Sequence, residues 1–395
     1  MPDYVGGNRL TLLRNGGQYF PALVAAIDAA RIEVFLETYI FSGDETGSLV
    51  ADALARAAAR GVATHLLIDG YGAHDFAPRF RRMLAQANVE LRVFRPDVSP
   101  WPPWRQRMRL RRMHRKVASI DGAVAFVGGI NVIDDVDVDP AAPPRFDFAV
   151  RVEGPLAPRV RAEALRLWTR VSWATLGGRW PGLEMLRRRA AARTLPAPPA
   201  GAGGQRAALV VRDNLGHRRD IEEAYLELIG AAREEILIAN AYFFPGHRFR
   251  RALESAAQRG VSVELLLQGK SDHPLQHDAS RALYRPLLHA GVRIAEYARS
   301  ELHAKVAVVD RRFASVGSSN IDPLSLMLAR EANVFVDDAA FAAELRASLR
   351  QALAEGGRRV PRDAAHMPLL LRLRVWLSYR IARLLLAFWR FDPER

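Results

Sequence analysis

Hydrophobic positions along this chain follow two periods, and the order in which the periods occur is repeated. Apolar residues three and four apart, followed by a short apolar run, give "ALARAAARGVATHLLIDG" (53–70), and the same order returns in "ALESAAQRGVSVELLLQG" (252–269). Likewise "AARIEVFLETYIF" (29–41) is matched by "AAREEILIANAYFF" (231–244). The first period is typical of helices and the apolar runs of buried strands. Alternating strands and helices, written twice, predict an α/β fold of two similar halves.

The boundaries of the halves follow from composition. A stretch dominated by Pro, Ala and Gly predicts a linker at 196–205, between a first half at 1–195 and a second half at 206–363. The first half also contains an insertion within 96–114 that is rich in Trp, Pro and Arg. This insertion is either an ordinary basic surface loop or a loop that contacts an anionic interface.

A sparse motif of the form H-x-K-x4-D-x6-G-[GS]-x-N occurs once in each half. Its members are His114, Lys116, Asp121 and Asn131 in the first copy, and His303, Lys305, Asp310, Ser318 and Asn320 in the second. Residues two apart on a strand point to the same face, so each histidine projects with its lysine. If the halves pack about a pseudo-two-fold axis, two histidines and two lysines converge.

Such a pocket of cations suits a phosphate group. Two histidines near one phosphorus atom suit a two-step displacement, in which one attacks and the other protonates the leaving oxygen. A histidine nucleophile also needs an acceptor for its other ring nitrogen. Asp147 and Glu331, each in a strand downstream of a motif, are the candidates. We expect no metal and no cofactor.

Composition adds a preference for anionic partners. The net charge is +14, there is no cysteine, and only three of the 57 basic residues are lysine: Lys116, Lys270 and Lys305. The absence of cysteine excludes disulfides and thiolate chemistry. Two of the three lysines occupy the same motif position, which indicates a need for a compact ammonium group rather than a guanidinium. Lys270, together with Asp272, is either a headgroup contact or a surface residue.

The duplicated motif resembles that of the phospholipase D superfamily over nearly the whole chain. The resemblance implies two halves, each a mixed β-sheet flanked by helices, with the active site between them, and a metal-free phosphohistidine mechanism. By this resemblance His114 is the nucleophile and His303 the acid and then the base. The remaining roles are phosphate binding by Lys116, Lys305, Asn131 and Asn320, histidine orientation by Asp147 and Glu331, and structural support by Asp121 and Asp310.

Flanking stretches such as "GGINVID" (128–134), "VRDNLGHRRDIE" (211–222) and "GSSNIDPLSLMLAREANV" (317–334) resemble bacterial cardiolipin synthases of the shorter B-type, and Gly129 opposite Ser318 fits that subgroup. The implied reaction uses phosphatidylglycerol as donor and acceptor.

The alternatives are another phosphatidyltransferase, including one with a phosphatidylethanolamine donor, a lipid hydrolase, a nuclease of the same superfamily, or a non-enzymatic membrane scaffold. We expect an anionic membrane and no nucleic acid as partner; the oligomeric state is left open.

The C-terminal segment (364–395) contains the apolar stretch 369–389, which includes four arginines. Four arginines at the centre of a bilayer cost about 12 kcal/mol and the apolar residues return only about 5 kcal/mol, so spanning is unfavourable. The segment therefore reads either as an amphipathic helix in the membrane interface or as a helix docked on the protein itself. The N-terminus shows no signal peptide, which predicts a peripheral protein on the cytoplasmic side of the bacterial cell membrane.

Overall fold

The structure is a computed structural model of the 395-residue chain. It describes residues 2–74, 76–96, 111–135, 143–175, 203–213, 216–269, 274–322 and 329–361, and six helical residues between 374 and 381. Lys270, Asp272, most of the insertion, most of the predicted linker and most of the C-terminal segment lie outside these residues.

The first half consists of alternating strands and helices. In chain order these are β1 (Val5–Arg14), α1 (Asn15–Ala29), β2 (Glu33–Thr38), α2 (Glu45–Ala59), β3 (Ala63–Asp69), α3 (Pro78–Gln86), β4 (Glu90–Phe94), β5 (Arg112–Met113), β6 (Lys116–Ile120), β7 (Val124–Gly128), β8 (Phe148–Glu153) and α4 (Ala157–Thr175).

The second half repeats this order. Its elements are β9 (Gln205–Arg212), α5 (Asp220–Ala231), β10 (Glu235–Asn240), α6 (His247–Gln258), β11 (Ser262–Gln268), α7 (Pro274–Arg281), α8 (Tyr284–His289), β12 (Arg293–Tyr297), β13 (Lys305–Val309), β14 (Phe313–Gly317), β15 (Ala329–Asp337), α9 (Ala339–Gly356) and β16 (Gly357–Arg359).

One continuous sheet joins the two halves. Its strand order is β16-β12-β11-β10-β13-β14-β15-β9-β1-β8-β7-β6-β2-β3-β4, with β5 paired to β15 beside this path. Read outward from the central β9–β1 pair, the order of equivalent strands is the same in both directions, which is the pattern of a pseudo-two-fold axis. β2, β3 and β4 are parallel, whereas β6 is antiparallel to β2, so each half is a mixed sheet. The predicted fold class is confirmed; the predicted domain boundaries stay predictions.

Helices cover both faces of the sheet. α1, α2 and α3 pack on one face of the first half, and α5, α6 and α8 pack on the second half. α4 and α9 cover the other face, where the central core is continuous across both halves. Because they are covered on both sides, β2, β6, β10 and β13 are buried along their whole length, which explains why apolar residues predominate at their centres. None of the helices in the described part of the chain is both long enough and apolar enough to cross a bilayer.

The motif aspartates lie at the ends of β6 and β13, away from the histidines. Asp121 accepts hydrogen bonds from the backbone N–H groups of Arg31, Ile32 and Glu33, each at 2.9 Å. Asp310 does the same for residues 233–235. Both aspartates have a left-handed backbone (φ 52° and 48°), which a short polar side chain tolerates. Their contacts tie the β6 and β13 turns to the starts of β2 and β10.

Candidate active site

The candidate active site forms where each half extends a short segment onto the other. β5, directly before His114, pairs in parallel with the start of β15, and the backbone N–H of His114 donates to the carbonyl oxygen of Arg330 at 3.0 Å. In the pseudo-symmetric position, Leu302 forms a bridge with Phe146, and the N–H of His303 donates to the carbonyl oxygen of Phe146 at 2.9 Å. These crossings place each histidine beside a carboxylate of the opposite half.

The two histidine–carboxylate pairs are exchanged between the halves. Nδ1 of His114 lies 3.1 and 3.2 Å from the two carboxylate oxygens of Glu331, and Nδ1 of His303 lies 2.6 Å from Oδ2 of Asp147. Sequence reasoning identified both carboxylates but only by their distance downstream of a histidine in the same half. The sequence distance within a half does not indicate the pairing, because the contact depends on how the halves dock.

The two motif lysines are buried under the histidines. Lys116 donates from Nζ to the carbonyl oxygen of His114 at 2.6 Å, and Lys305 donates to the carbonyl oxygen of His303. Lys116 is 3% exposed and Lys305 is fully buried. Nζ of Lys305 also lies 2.9 Å from Nδ1 of His303. That nitrogen faces Asp147 more closely, and a carboxylate is the better acceptor, so we assign the Nδ1 proton to the Asp147 contact.

The supports of the two carboxylates differ. Oγ of Ser318 donates to Glu331 at 2.5 Å and accepts from the N–H of Ala332 at 3.1 Å. The equivalent residue in the first half is Gly129, where a Cβ atom would lie 2.4 Å from Oδ1 of Asp147. In the first half, the carboxylate of Asp147 therefore lies in the space next to Gly129. In the second half, the hydroxyl group of Ser318 lies in the equivalent space, beside the longer Glu331.

The two motif asparagines are buried near the ends of β7 and β14. Oδ1 of Asn131 accepts from the N–H of Ile40 at 3.2 Å. Asn320 is 3% exposed, and its Oδ1 has no hydrogen-bond partner in the described residues. Their predicted contact with a phosphate group stays a prediction.

Sequence reasoning missed Tyr39, whose ring packs edge-on to the ring of His114 with centroids 4.9 Å apart. Nζ of Lys116 lies 5.4 Å from the same ring. Tyr39 directly follows β2, within the repeated stretch 29–41, but a single tyrosine after a strand has no characteristic spacing that would mark it as a site residue.

Asp69 and Gln268 also escaped prediction, although they hold the segments that carry the histidines. Oδ2 of Asp69 accepts from the N–H of Met113 at 2.8 Å, and Oε1 of Gln268 accepts from the N–H of Leu302 at 3.0 Å. Each is the last residue of an equivalent strand, β3 or β11. Only an alignment of the two halves that includes these strand ends would have pointed to them.

The buried cations of the site repel one another, and burial shifts the pKa values of the lysines and of the carboxylates beside them. Burial, with Lys305 next, lowers the pKa of Lys116 to about 7, and burial lowers the pKa of Lys305 to about 8. Burial raises the pKa of Asp147 to about 6, although Lys305 opposes this. Burial would also raise the pKa of Glu331, but His114 and Lys116 outweigh it and hold that pKa below its ordinary value. An anion between the lysines would relieve their mutual repulsion.

In the described part of the chain, no three histidine, aspartate or glutamate side chains converge as a metal site would require. The predicted headgroup residues Lys270 and Asp272 lie outside the described residues. The elements that the site does bring together are therefore two histidines, two carboxylates and two lysines. A duplicated α/β half with these groups at the junction is the arrangement of phospholipase D-like enzymes.

Comparisons with known proteins agree with this class. A family described as cardiolipin synthase, PLD-like domain, matches residues 23–135 and 225–353. The chain is 40% identical to cardiolipin synthase B of Salmonella typhimurium and 39% identical to that of Escherichia coli K12, in each case over 98% of this chain and 89% of the relative. A crystal structure of phosphatidylserine synthase from Haemophilus influenzae matches 95% of this chain and 93% of its own, with TM-score 0.69 and 12% identity, which shows a shared fold.

The chain therefore belongs to the cardiolipin synthase family of the phospholipase D superfamily. The predictions of this family and of a phosphatidyltransferase are confirmed.

The contact between Gly129 and Asp147 gives the first testable prediction. In Gly129→Ala the added methyl group displaces the Asp147 carboxylate from His303, and we expect kcat to fall about 100-fold, the scale of a 1 Å misplacement of a catalytic group. Gly17→Ala is the matched control, since a Cβ atom there meets nothing within 4 Å. Equal rates of lipid turnover in both variants would contradict the assigned role of Asp147.

Proposed function

We propose that this protein makes cardiolipin from two phosphatidylglycerol molecules through a covalent phosphatidyl–histidine intermediate. Family membership supports the reaction, and the exchanged histidine–carboxylate pairs above two buried lysines support the mechanism. Because Nδ1 of each histidine is engaged by a carboxylate, Nε2 is the ring nitrogen that faces the reacting phosphate.

In the first step Nε2 of His114 attacks phosphorus and forms a P–N bond. The bond between phosphorus and the glycerol headgroup oxygen breaks, and that oxygen takes a proton from Nε2 of His303. Lys116 and Lys305 balance the charge on the phosphate oxygens, which increases in the transition state. Glycerol leaves and the phosphatidyl group stays on His114.

In the second step the hydroxyl group of another phosphatidylglycerol attacks the same phosphorus atom. Its proton passes to Nε2 of His303, the P–N bond breaks, and the electron pair returns to His114. The product is cardiolipin, and both histidines regain their starting states. No metal or other co-reactant is needed for the balance of either step.

The different surroundings of the two histidines support His114 as the nucleophile. Glu331 has its pKa held low and meets Nδ1 with both oxygens, so it stabilises the positive charge that His114 gains on attack. Burial, followed by Lys305 and Lys116, holds the pKa of His303 well below its ordinary value. The negative charge of the bound donor phosphate offsets these lysines and favours the protonated form of His303, which proton transfer to the leaving oxygen requires.

The direct test of the proposed function uses purified protein, phosphatidylglycerol vesicles and excess chelator. We expect cardiolipin and glycerol from the wild type, and a loss of at least about 1,000-fold in His114→Ala, as for other covalent nucleophiles. Lipid products are separated and quantified. Phosphatidic acid as the main product would identify a hydrolase. No turnover until phosphatidylethanolamine is added to the vesicles would identify another donor, and either result contradicts the proposal.

The buried lysines predict the pH dependence of the reaction. Lys116 and Lys305 bind phosphate only when protonated, so kcat/KM for phosphatidylglycerol should fall as the pH rises through 7 to 8, the range of their lowered pKa values. In Lys116→Arg the guanidinium keeps its proton, so this decrease should move to higher pH while the maximal rate falls. If the decrease in kcat/KM occurs at the same pH in Lys116→Arg as in the wild type, a group other than Lys116 causes it, which would contradict the prediction.

The helical residues near the C-terminus support peripheral attachment to the membrane; the cytoplasmic side of that attachment stays a prediction. Arg374 pairs with the buried Asp278 of α7 at 2.8 Å, and Val375 and Ser378 are buried, so one face of this helix docks on the second half. On the other face Leu377 is 50% and Ile381 37% exposed. The helix can thus dock on the protein with one face and contact the membrane with the other. The two interpretations of this segment given by the sequence therefore do not exclude each other.

Charges on the exposed face test this attachment. Leu377→Asp/Ile381→Asp should weaken binding to phosphatidylglycerol vesicles at least about tenfold, since two apolar side chains are lost and two negative charges are gained. Ala347→Asp places one such charge on an exposed position of α9 and is the control. Sedimentation with vesicles measures the binding. Equal binding of both variants would contradict membrane contact through this helix.

A further inference from the structure

Three half-buried arginines lie beside His114, and two of them have a buried N–H group without a hydrogen-bond partner in the described residues. We call Arg95, Arg112 and Arg330 the arginine cluster. Arg95 and Arg330 both lie over the ring of Phe94, at 5.5 and 6.0 Å from its centroid. Arg112 donates from Nη1 to the carbonyl oxygen of Arg95 at 3.4 Å, which joins the third guanidinium to the other two.

Among the described residues, the cluster has more positive charge than the carboxylates in contact with it balance. The one described carboxylate within 4 Å is Asp69, 3.7 Å from Arg112, and it already accepts three backbone N–H groups. Asp213 and Glu37 act on Arg330 only from a longer distance. Nη1 of Arg95 and Nε of Arg330 are buried and have no hydrogen-bond partner in the described residues. Burial and then the neighbouring arginines lower the pKa of Arg95, which agrees with an excess of like charge.

Two other arginines of the described chain are satisfied by two-point contacts with glutamate, whereas the buried Arg212 also has Nε and Nη1 without a hydrogen-bond partner in the described residues. Arg115 binds both carboxylate oxygens of Glu37, and Arg281 binds both of Glu296. Within the described part of the chain, the arginine cluster makes no such contact. Its unpaired N–H groups are the arrangement expected of an anion site without its anion.

The second half shows that the fold does not require these charges. The pseudo-symmetric counterparts of Arg95, Arg112 and Arg330 are Ala298, Glu301 and Phe146. Glu301 is neutralised by Arg145 at 2.7 Å, and Phe146 stacks on Tyr297 where Arg330 lies over Phe94. The three counterpart positions beside His303 thus carry one neutralised carboxylate and no arginine, although the guanidinium of Arg14 lies over the ring of Phe146 at 5.1 Å.

The cluster is directly linked to the proposed nucleophile. Arg112, in β5, lies two residues before His114, and the carbonyl oxygen of Arg330 accepts the N–H of His114. The ring of Tyr39 packs on His114, and both Asp69 and Arg112 act electrostatically on its hydroxyl group. An anion held by the cluster would therefore lie beside, and not within, the pocket of the two lysines.

We propose that the arginine cluster binds the phosphodiester of the acceptor lipid while the donor phosphate lies between the two histidines. This inference rests on the proposed function. An acceptor phosphatidylglycerol carries its phosphate one glycerol unit from the attacking hydroxyl group, whereas water and free glycerol carry none. The cluster thus selects a lipid acceptor over small hydroxyl compounds and directs the intermediate toward cardiolipin.

The test compares two acceptors that share one donor step. Phosphatidylglycerol in detergent micelles is supplied with labelled glycerol, and cardiolipin and labelled phosphatidylglycerol are measured together. In Arg95→Gln/Arg112→Gln the ratio of cardiolipin to labelled phosphatidylglycerol should fall about tenfold or more, the scale of one lost charge-assisted hydrogen bond, with glycerol exchange retained. The single variant Arg112→Lys keeps the positive charge, so its ratio of cardiolipin to labelled phosphatidylglycerol should lie between those of the wild type and the double variant.

Arg312→Gln is the matched control, because it removes the same charge from an exposed residue at the opposite end of β13. A parallel loss of both products in the double variant, or an unchanged ratio, would overturn the acceptor site. Glycerol exchange without any cardiolipin in the wild type would contradict the proposed function itself, so the two failures are distinguishable.

Discussion

The exchange of histidine–carboxylate pairs between the halves is the constraint on which the site depends. Neither half contains a complete set: His114 needs Glu331, and His303 needs Asp147. The exchange in turn requires the β5–β15 pairing and the Phe146–Leu302 bridge, and these require the continuous sheet through the central β1–β9 pair. Duplication of an α/β unit therefore supplies two half-sites, and only their docking supplies a site for phosphoryl transfer.

Symmetry brings the groups together, and departures from symmetry separate their roles. Ser318 beside Glu331 and Gly129 beside Asp147 give two carboxylates of different length and different proton affinity. Tyr39 packs on His114, whereas Ala241 has the equivalent position after β10. The arginine cluster adds positive charge beside one histidine only. A reaction in which one histidine attacks and the other transfers protons needs such a difference.

Much of this could be predicted from the sequence because the repeat is long and its spacing is conserved between the two halves. The sequence predicted that each histidine and its lysine project together from one strand; in the structure each lysine is the first residue of β6 or β13 and each histidine lies two residues before it, at the same offset in both halves. The exchange of Asp147 and Glu331 could not be predicted, because it depends on tertiary docking across some 150 to 220 positions of sequence. Asp69, Gln268 and the arginine cluster were missed for a similar reason: their significance appears only when equivalent strand ends of the two halves are superposed.

The most direct test of the account is to trap the covalent intermediate. Wild-type protein is mixed rapidly with phosphatidylglycerol labelled in its phosphate, denatured in alkali, where phosphohistidine survives, and digested for peptide identification. We expect label on the peptide that contains His114 before cardiolipin appears. In Glu331→Gln this labelled peptide should form much more slowly. Label on His303, or cardiolipin formed at the full rate without any labelled histidine, would contradict it.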